Sequence, residues 1–185
     1  MKRVLFVIII MAHVAAFAHE PIIIPTPQTF VVEEGSYTIS PKTSISPSCT
    51  ELQPLVDYCV AEIGLTKSSK HGEIEVIIDD YLEAEEYRLI VSEEGVVIRG
   101  GDYGGLFNGV MTLLQLLPAN VYNGGLTGSA EVVCCEISDS PRYEHRGFML
   151  DVCRTWMDKE AVMNFIDLLA YHKINSLRLH LTDDE

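Results

Sequence analysis

The chain has 185 residues and a formal net charge of −14; 48% of the residues are hydrophobic and 22% are charged. This balance excludes a disordered chain, a collagen-like repeat and a multi-pass membrane protein. It also argues against a nucleic-acid partner, because binding to phosphates requires clustered Lys and Arg, and the sequence has no such cluster. The length allows one ordinary domain, or a small domain together with part of another.

The first residues have the pattern of a secretory signal peptide. A basic pair at 2–3 precedes an apolar run at 4–11, and Ala-Phe-Ala at 16–18 gives the small-x-small pattern of a cleavage site. The apolar run is too short to span a bilayer. We therefore predict a signal peptide over residues 1–18, export to the periplasm or the cell exterior, and no membrane attachment after cleavage. The alternative is a buried N-terminal strand.

Residues 19–138 have the pattern of one α+β domain. Strands are predicted at 29–39, 74–78, 87–91, 96–98 and 131–137. The first of these contains Glu-Glu-Gly, so we predict a strand, a turn and a second strand there. The pair around Ser-Glu-Glu-Gly has the pattern of a hairpin.

Two helices are predicted within this domain. Residues 51–63 have apolar residues at helical spacing and end at Gly64, and residues 106–117 end at Pro118. The second helix follows a glycine-rich stretch at 100–105, which resembles a phosphate-binding loop. It lacks the Lys-Ser/Thr ending and the GxGxxG spacing of such loops. We therefore favour a tight turn that sets the helix against the sheet.

The five cysteines indicate structural roles. They are Cys49, Cys59, Cys134, Cys135 and Cys153. In an oxidising compartment Cys49 can pair with Cys59, and the odd count leaves at least one free thiol unless the chain dimerises through it. We expect Cys134 and Cys135 to be one buried and one outward-facing strand residue. No CxxC motif and no His/Asp/Glu set with ligand spacing occurs, so neither a metal nor a cofactor is predicted.

The pattern changes after Asp-Ser-Pro at 139–141. An apolar strand at 147–153 is followed by a helix that Asp158 caps and that runs to about His172, and by a second strand at 174–181. Such a βαβ unit has parallel strands joined with right-handed connectivity.

Arg154 and Asp183 each follow the carboxyl end of one of these two strands. Because ligands bind at the carboxyl edge of parallel strands, both side chains are expected at one ligand-binding rim. Arginine donates hydrogen bonds in a fixed fork and aspartate accepts them, which suits a ligand rich in hydroxyl groups. The alternative is an exposed ion pair with a structural role only.

At this point the sequence resembles a known family, the β-N-acetylhexosaminidases of glycoside hydrolase family 20. The resemblance is strongest at 141–154 (PRYEHRGFMLDVCR) and 165–184 (FIDLLAYHKINSLRLHLTDD), where R-G-x-x-L-D-x-x-R and H-L-x-D-D occur together. Residues 25–28 (PTPQ) and 105–117 (GLFNGVMTLLQLL) resemble the N-terminal domain of that family. The expected fold is an α+β N-terminal domain at 19–138, followed at 139–185 by the first βαβ unit of a (β/α)8 TIM barrel.

The resemblance implies an exo-acting hydrolase that removes terminal N-acetylglucosamine or N-acetylgalactosamine from glycans with retention. The acetamido oxygen of the substrate attacks C1, so the protein supplies no nucleophile and departs from the usual two-carboxylate scheme. One Asp orients the acetamide and the neighbouring Glu serves as acid and then base. That pair lies on a later strand after a Gly-Gly-like lead, so no catalytic residue is assigned in this chain, Asp184 and Glu185 included.

Five positions acquire roles from the resemblance. Arg154 is similar to the arginine that grips sugar hydroxyls in the −1 subsite, and Asp183 to a carboxylate of the polar cluster around it. His180 either supports the site or is a hydrogen-bonded core histidine. Trp156 either stacks on sugar or covers the top of the barrel, and Asp184 is a third supporting candidate. For Arg146 and Asp151, which also match the motif, an ion-pair or strand-packing role is favoured.

A complete barrel requires roughly 250 residues. We therefore predict that the barrel is truncated in this chain and that these 185 residues alone do not hydrolyse glycosides. Two alternatives remain open. One is a non-catalytic carbohydrate-binding or interaction module from a truncated gene. The other is a different barrel glycosidase with a shared N-terminal domain, which the paired motifs disfavour.

Overall fold

The computed structural model describes residues 21–121 and 124–183. The predicted signal peptide, Asp184 and Glu185 lie outside the described residues. The helices and strands, in chain order, are β1 Thr29–Ile39, β2 Ser44–Pro47, α1 Gln53–Ile63, β3 Thr66–Lys67, β4 Ile74–Ile78, β5 Tyr87–Ser92, β6 Gly95–Gly100, α2 Tyr103–Leu116, β7 Ala130–Asp139, β8 Gly147–Asp151, α3 Lys159–Tyr171 and β9 Ser176–His180. A single 3-10 turn at Thr50–Leu52 leads into α1. Within the described ranges, no helix is both long and apolar enough to cross a membrane.

Strands β1 to β7 form one mixed sheet in the order β1-β7-β5-β6-β4-β2-β3. The predicted hairpin is confirmed, since β5 and β6 pair antiparallel. On one side of the hairpin β7 and β1 continue the antiparallel pairing, and on the other β4, β2 and β3 run parallel. Side chains along β5 alternate between buried and exposed, as expected for a sheet with one covered face.

Helices α1 and α2 cover that face and enclose the core. Apolar residues of α2 such as Leu106, Val110 and Leu113 are buried against the inward residues of the sheet, which include Leu89 and Ile98. A core of this kind contributes about 25 cal/mol for each Å² of apolar surface that it removes from water. The predicted α+β organisation is thereby confirmed for the described part of this region.

The glycine-rich stretch is a tight turn, as the sequence predicts. Asp102 caps α2 by accepting a hydrogen bond from the backbone N–H of Gly105 at 2.7 Å. The chain passes so close to its neighbours that a Cβ on Gly101 would lie 2.0 Å from the carbonyl oxygen of Glu83. A Cβ on Gly105 would lie 2.2 Å from that of Glu86. Glycine is therefore required for close packing here.

The strand-turn-strand prediction for the first strand is wrong. Thr29–Ile39 is one strand, β1, which pairs with β7 along its length. The Glu-Glu-Gly sequence forms an irregularity in the pairing. Val32 pairs with Cys135 and Ser36 with Val133, so an advance of four residues along β1 corresponds to an advance of only two along β7. Gly35 has φ +102°, so the local turn signal is real, but the chain resumes pairing with the same neighbour instead of reversing.

The disulfide considered possible between Cys49 and Cys59 is not formed, and all five cysteines are free thiols. Cys135 belongs to the core, whereas Cys134 lies outside it, yet both are buried. The expectation of one buried residue and one outward-facing residue is thus wrong about exposure. Burial raises the pKa of the Cys134 thiol, and the nearby carboxylates of Glu93 and Glu33 raise it further.

Strands β8 and β9 form a separate parallel pair connected by α3, which confirms the predicted βαβ unit. Asp158 caps α3 by accepting a hydrogen bond from the backbone N–H of Ala161 at 2.8 Å, also as predicted. None of the α3 residues is fully buried. Large apolar side chains of the unit are exposed, including Phe148, Met149 and Ile166.

Candidate functional site

The candidate site lies at the carboxyl ends of β8 and β9. The two strands are in register from Gly147↔Ser176 to Asp151↔His180, so both end at the same edge. Arg154 follows in the turn after β8, and Asp183 follows in the irregular segment after β9. The topology of one βαβ unit therefore brings together two side chains that are 29 residues apart.

Arg154 and Asp183 form a direct ion pair. Arg154 Nη2 donates a short, charge-assisted hydrogen bond to Asp183 Oδ2 at 2.6 Å. The Arg154 side chain is 71% exposed and that of Asp183 30% exposed. Because an exposed ion pair contributes at most about 1 kcal/mol to folding, stability alone gives little reason for this pair. Both groups remain accessible to a ligand.

Asp151 holds the turn that carries Arg154. Its Oδ1 accepts hydrogen bonds from the backbone N–H groups of Cys153 at 3.1 Å and Arg154 at 3.0 Å, and its Oδ2 lies 3.7 Å from Arg154 Nη1. The hydrogen bond from the Arg154 backbone is the main reason that the pKa of Asp151 is lowered. The charge of His180 lowers the Asp151 pKa as well. The ion-pair role favoured for Asp151 therefore agrees with this geometry.

His180 is the last residue of β9 and the register partner of Asp151 on β8. Its Nε2 is buried and lies 3.8 Å from Asp183 Oδ2. Within residues 21–121 and 124–183, this nitrogen has no hydrogen-bond partner. The His180 carbonyl oxygen accepts hydrogen bonds from the backbone N–H groups of Val152 at 3.2 Å and Cys153 at 3.1 Å. His180 thus connects the end of β9 to the turn after β8.

The remaining candidates lie at or beyond the edge of this cluster. Trp156 follows two residues after Arg154, and its side chain is 85% exposed, so the indole face is open to solvent. Asp184 lies outside the described residues. In the two ranges that are described, no group of three or more metal-ligating side chains occurs.

Arg146 does not join the cluster. Its guanidinium forms a two-pronged ion pair with Glu85, which precedes β5 in the first sheet, and its Nε donates to the Lys173 carbonyl oxygen at 2.8 Å. The structural role that the sequence favours for Arg146 is therefore the one observed. Sequence reasoning did not identify Glu85 as the partner, because 61 residues separate the two.

A second set of polar side chains, missed by sequence reasoning, connects the two sheets. The buried Lys173 donates from Nζ to the hydroxyl of Tyr87 at 2.8 Å and to Asp139 Oδ2 at 3.1 Å. The Tyr87 hydroxyl also lies 2.6 Å from Thr112 Oγ1. Burial lowers the pKa of Lys173, while Asp139 acts in the opposite direction. The only signal in the sequence is a lysine between a helix and a strand, which is common on protein surfaces.

Comparison with known proteins places the chain in a family. Residues 20–140 match the model of glycosyl hydrolase family 20, domain 2, and residues 143–185 match the catalytic domain of the same family. A β-hexosaminidase of Porphyromonas gingivalis is 37% identical over 176 residues, covering 88% of this chain and 23% of the relative. A β-N-acetylhexosaminidase of Cellulomonas fimi is 36% identical over 126 residues, covering 67% of this chain and 24% of the relative.

Solved structures give the same result. The N-acetyl-β-hexosaminidase of Streptomyces plicatus superposes with a TM-score of 0.78 at 33% identity, over 87% of this chain and 34% of that one. The exo-β-N-acetylglucosaminidase of Vibrio harveyi, solved with N-acetylglucosamine, gives 0.76 at 33% identity, over 88% and 26%. The chain spans about a quarter of the length of the curated relatives from Porphyromonas gingivalis and Cellulomonas fimi. With both family models matched in sequence order, the chain belongs to glycoside hydrolase family 20.

Proposed function

We propose that this chain is part of an exported, exo-acting β-N-acetylhexosaminidase that removes terminal N-acetylglucosamine or N-acetylgalactosamine from glycans. The observation that carries the proposal is the Arg154–Asp183 pair at the carboxyl edge of β8 and β9 in a family 20 chain. Relatives named β-hexosaminidase and N,N'-diacetylchitobiase support the substrate class. In this proposal the β8–α3–β9 unit begins a (β/α)8 barrel.

The pair has the chemistry needed to bind a sugar ring. Arg154 donates from a planar fork, and Asp183 accepts, so two neighbouring hydroxyl groups can each find a complementary partner. With Arg154 at 71% exposure, a sugar can reach the pair without displacing buried protein. We assign both residues to the −1 subsite, where they hold the sugar while its glycosidic bond breaks. The exposed indole of Trp156 is proposed as an apolar surface beside it.

The proposed reaction proceeds with assistance from the substrate. The acetamido oxygen attacks C1 as the glycosidic bond breaks, and the leaving oxygen receives a proton from a glutamic acid. Water then attacks C1 while its proton passes to the glutamate. The bond between C1 and the acetamido oxygen breaks in this step, which regenerates the acetamide and gives net retention. In this chain Arg154 and Asp183 would orient the ring for the attack, which is a positioning contribution.

We place the Asp-Glu pair of the acetamide and acid-base steps on a later strand than β9. The 185 residues by themselves are therefore expected to be inactive. Hydrolysis by the purified 185-residue chain above the rate in buffer would contradict this placement.

The activity is tested on the full-length gene product with three p-nitrophenyl β-glycosides: N-acetylglucosaminide, N-acetylgalactosaminide and glucoside. We expect release of p-nitrophenol from at least one N-acetylated substrate and none from the glucoside, which lacks the acetamido group. Proton NMR of the first product should show the β-anomer. Equal turnover of the glucoside would contradict substrate assistance, and no turnover of either N-acetylated substrate would contradict the proposed function.

Export is tested separately. We propose that residues 1–18 are removed after Ala18, which follows from the sequence pattern alone. N-terminal sequencing of the protein recovered outside the cytoplasm should begin at His19. A mature protein that begins at Met1 would contradict the proposal.

A further inference from the structure

His180 contains a buried polar atom that has no hydrogen-bond partner among the described residues. This atom is Nε2, which is shielded from solvent. Leaving a buried donor or acceptor unpaired costs free energy, so such an atom in a folded protein calls for an explanation. Its position at the end of β9, three residues before Asp183, indicates where to look.

The nearest complementary group is the carboxylate of Asp183. The separation of Nε2 and Oδ2 is 3.8 Å, and a shift of about 1 Å would bring the two atoms to the length of a charge-assisted hydrogen bond. An imidazole N–H donates and a carboxylate only accepts, so the two groups match. The same Oδ2 already accepts from Arg154 Nη2, on the solvent-exposed side.

The two partners of Asp183 differ in rigidity. Arg154 is 71% exposed and lies in a turn, so its long side chain cannot by itself fix the direction of the carboxylate. His180 is part of a strand, and its carbonyl oxygen accepts two backbone hydrogen bonds from the turn after β8. Asp183 itself lies in an irregular segment beyond the strand. The histidine is therefore the fixed point from which this carboxylate can be oriented.

We propose that His180 is a positioning residue whose Nε2–H donates to Asp183 and keeps the other carboxylate oxygen directed at a sugar hydroxyl. The arrangement would bind one oxygen of Asp183 between His180 and Arg154, and leave Oδ1 for the substrate. This inference rests on the proposed function, because it gives His180 a role only if Asp183 contacts the sugar.

The test compares two substitutions that differ in reach. In His180→Gln the amide nitrogen is placed near the position of Nε2, whereas in His180→Asn it falls short. In the full-length enzyme, we expect His180→Asn to lower kcat/KM by about tenfold or more, mainly through KM, as for a lost hydrogen bond to a charged group. His180→Gln should have a kcat/KM close to that of the wild type, because its amide can replace the Nε2 donor. His71→Asn is the control, since its side chain is 97% exposed.

A double-mutant cycle separates positioning from a general structural role. If His180 acts through Asp183, adding His180→Asn to Asp183→Asn should change kcat/KM by less than about twofold. Imidazole ¹⁵N NMR provides a readout that requires no change at position 180. The Nε2 resonance of His180 should show a bound proton and should shift in Asp183→Asn.

Several outcomes would overturn the inference. They are an unprotonated Nε2, equal losses in the Gln and Asn variants, wild-type kinetics in His180→Asn, or additive effects in the double mutant. With an active wild-type enzyme, any of these refutes the role of His180 and leaves the proposed function intact. A wild-type enzyme that hydrolyses no N-acetylhexosaminide would refute both.

Discussion

At the scale of single residues, the ion pair of Arg154 and Asp183 is expected to contribute to ligand binding much more than to folding stability. Exposure of 71% for the Arg154 side chain means that solvent screens the pair. The same exposure makes both groups available to a hydroxyl-rich ligand. A substitution here should therefore affect kinetics far more than stability.

Arg154→Lys keeps the charge and loses the planar fork, so one point donor replaces two aligned ones. We expect kcat/KM for the N-acetylated substrate to fall by about tenfold or more, while the free energy of unfolding changes by less than about 1 kcal/mol. Steady-state kinetics and urea unfolding of the full-length protein provide the two measurements. Arg88→Lys on β5, an exposed arginine of the first sheet outside the proposed subsite, is the matched control. Unchanged kinetics in Arg154→Lys would remove this residue from the proposed subsite.

At the scale of elements, one carboxylate organises the start of α2. Asp102 Oδ1 accepts from the backbone N–H of Gly105 at 2.7 Å and from that of Glu85 at 2.9 Å. It thus caps the helix and also ties down the loop before β5. Loss of an N-cap alone typically costs about 1 kcal/mol.

Asp102→Ala should lower the free energy of unfolding by about 2 kcal/mol, since the cap and the second hydrogen bond are lost together. Asp80→Ala, at an exposed position that precedes the same loop, has the same change in charge and should lie within about 0.5 kcal/mol of wild type. Urea titration at neutral pH measures both. Equal stabilities of the two variants would show that Asp102 has no capping role.

Two buried thiols make the fold sensitive to alkaline conditions. Burial raises the pKa of Cys59 in α1 and of Cys135 in β7 from 9.0 to about 12. A raised pKa means that the folded state retains a proton which the unfolded chain releases. The stabilisation is therefore complete below pH 9 and is lost as the pH rises towards 12.

Unfolding free energies measured in urea with a reductant should fall between pH 9 and 11, by up to about 1.4 kcal/mol per pH unit for each thiol. Cys59→Ala should show a smaller dependence on pH, whatever its absolute stability. The slope, and not the stability at one pH, is the informative quantity. An identical slope in the variant would mean that Cys59 does not titrate in the unfolding reaction.

At the scale of the whole molecule, the buried Lys173 and the partly buried Arg146 connect the two sheets. Lys173 is 7% exposed and pairs with Asp139 across 34 residues, and Arg146 pairs with Glu85 across 61. Removing one member of a buried pair leaves the other desolvated without compensation. By contrast, the side chains of the ion pair Lys67–Asp57 are 47% and 57% exposed.

Lys173→Met should therefore lower the free energy of unfolding by about 3 kcal/mol. Lys67→Met removes the same charge from the exposed pair and should cost less than about 1 kcal/mol. Urea unfolding of both variants is the measurement. If the two losses are similar, the buried pair is not what joins the sheets.

Sequence patterns predicted those helices, turns and caps that depend on residues close together in the chain. Both helices of the first sheet region, the β5–β6 hairpin and the cap at Asp158 follow from spacing, a turn signal or a single polar residue. The irregularity in β1 was misjudged, because Gly35 marks a change of direction but only the distant β7 determines whether pairing resumes. Strands β2 and β3 were missed for a similar reason: they have four and two residues and depend on neighbours elsewhere in the chain.

The site divides in the same way. Arg154 and Asp183 could be placed together from sequence, because a parallel βαβ unit has one carboxyl edge. The burial of His180 Nε2 and the contacts of Lys173 depend on side-chain packing between segments far apart in the sequence. A pattern of residue types does not encode such packing.

The positions of Arg146 and Lys173 along the chain have a consequence for how the sequence of this protein can diverge. Arg146 and Lys173 lie just before β8 and β9, so their ion pairs attach the amino ends of these strands to the first sheet. Arg154 and Asp183 follow the carboxyl ends of the same strands. In each strand, five residues spanning about 16 Å separate the ion pair at the amino end from the candidate site at the carboxyl end. Loops at the carboxyl edge can therefore be lengthened, shortened or exchanged without disturbing the ion pairs that join β8 and β9 to the first sheet. In Lys173→Met the folded population should decrease, while each molecule that remains folded should keep wild-type affinity for the proposed N-acetylhexosaminide substrate.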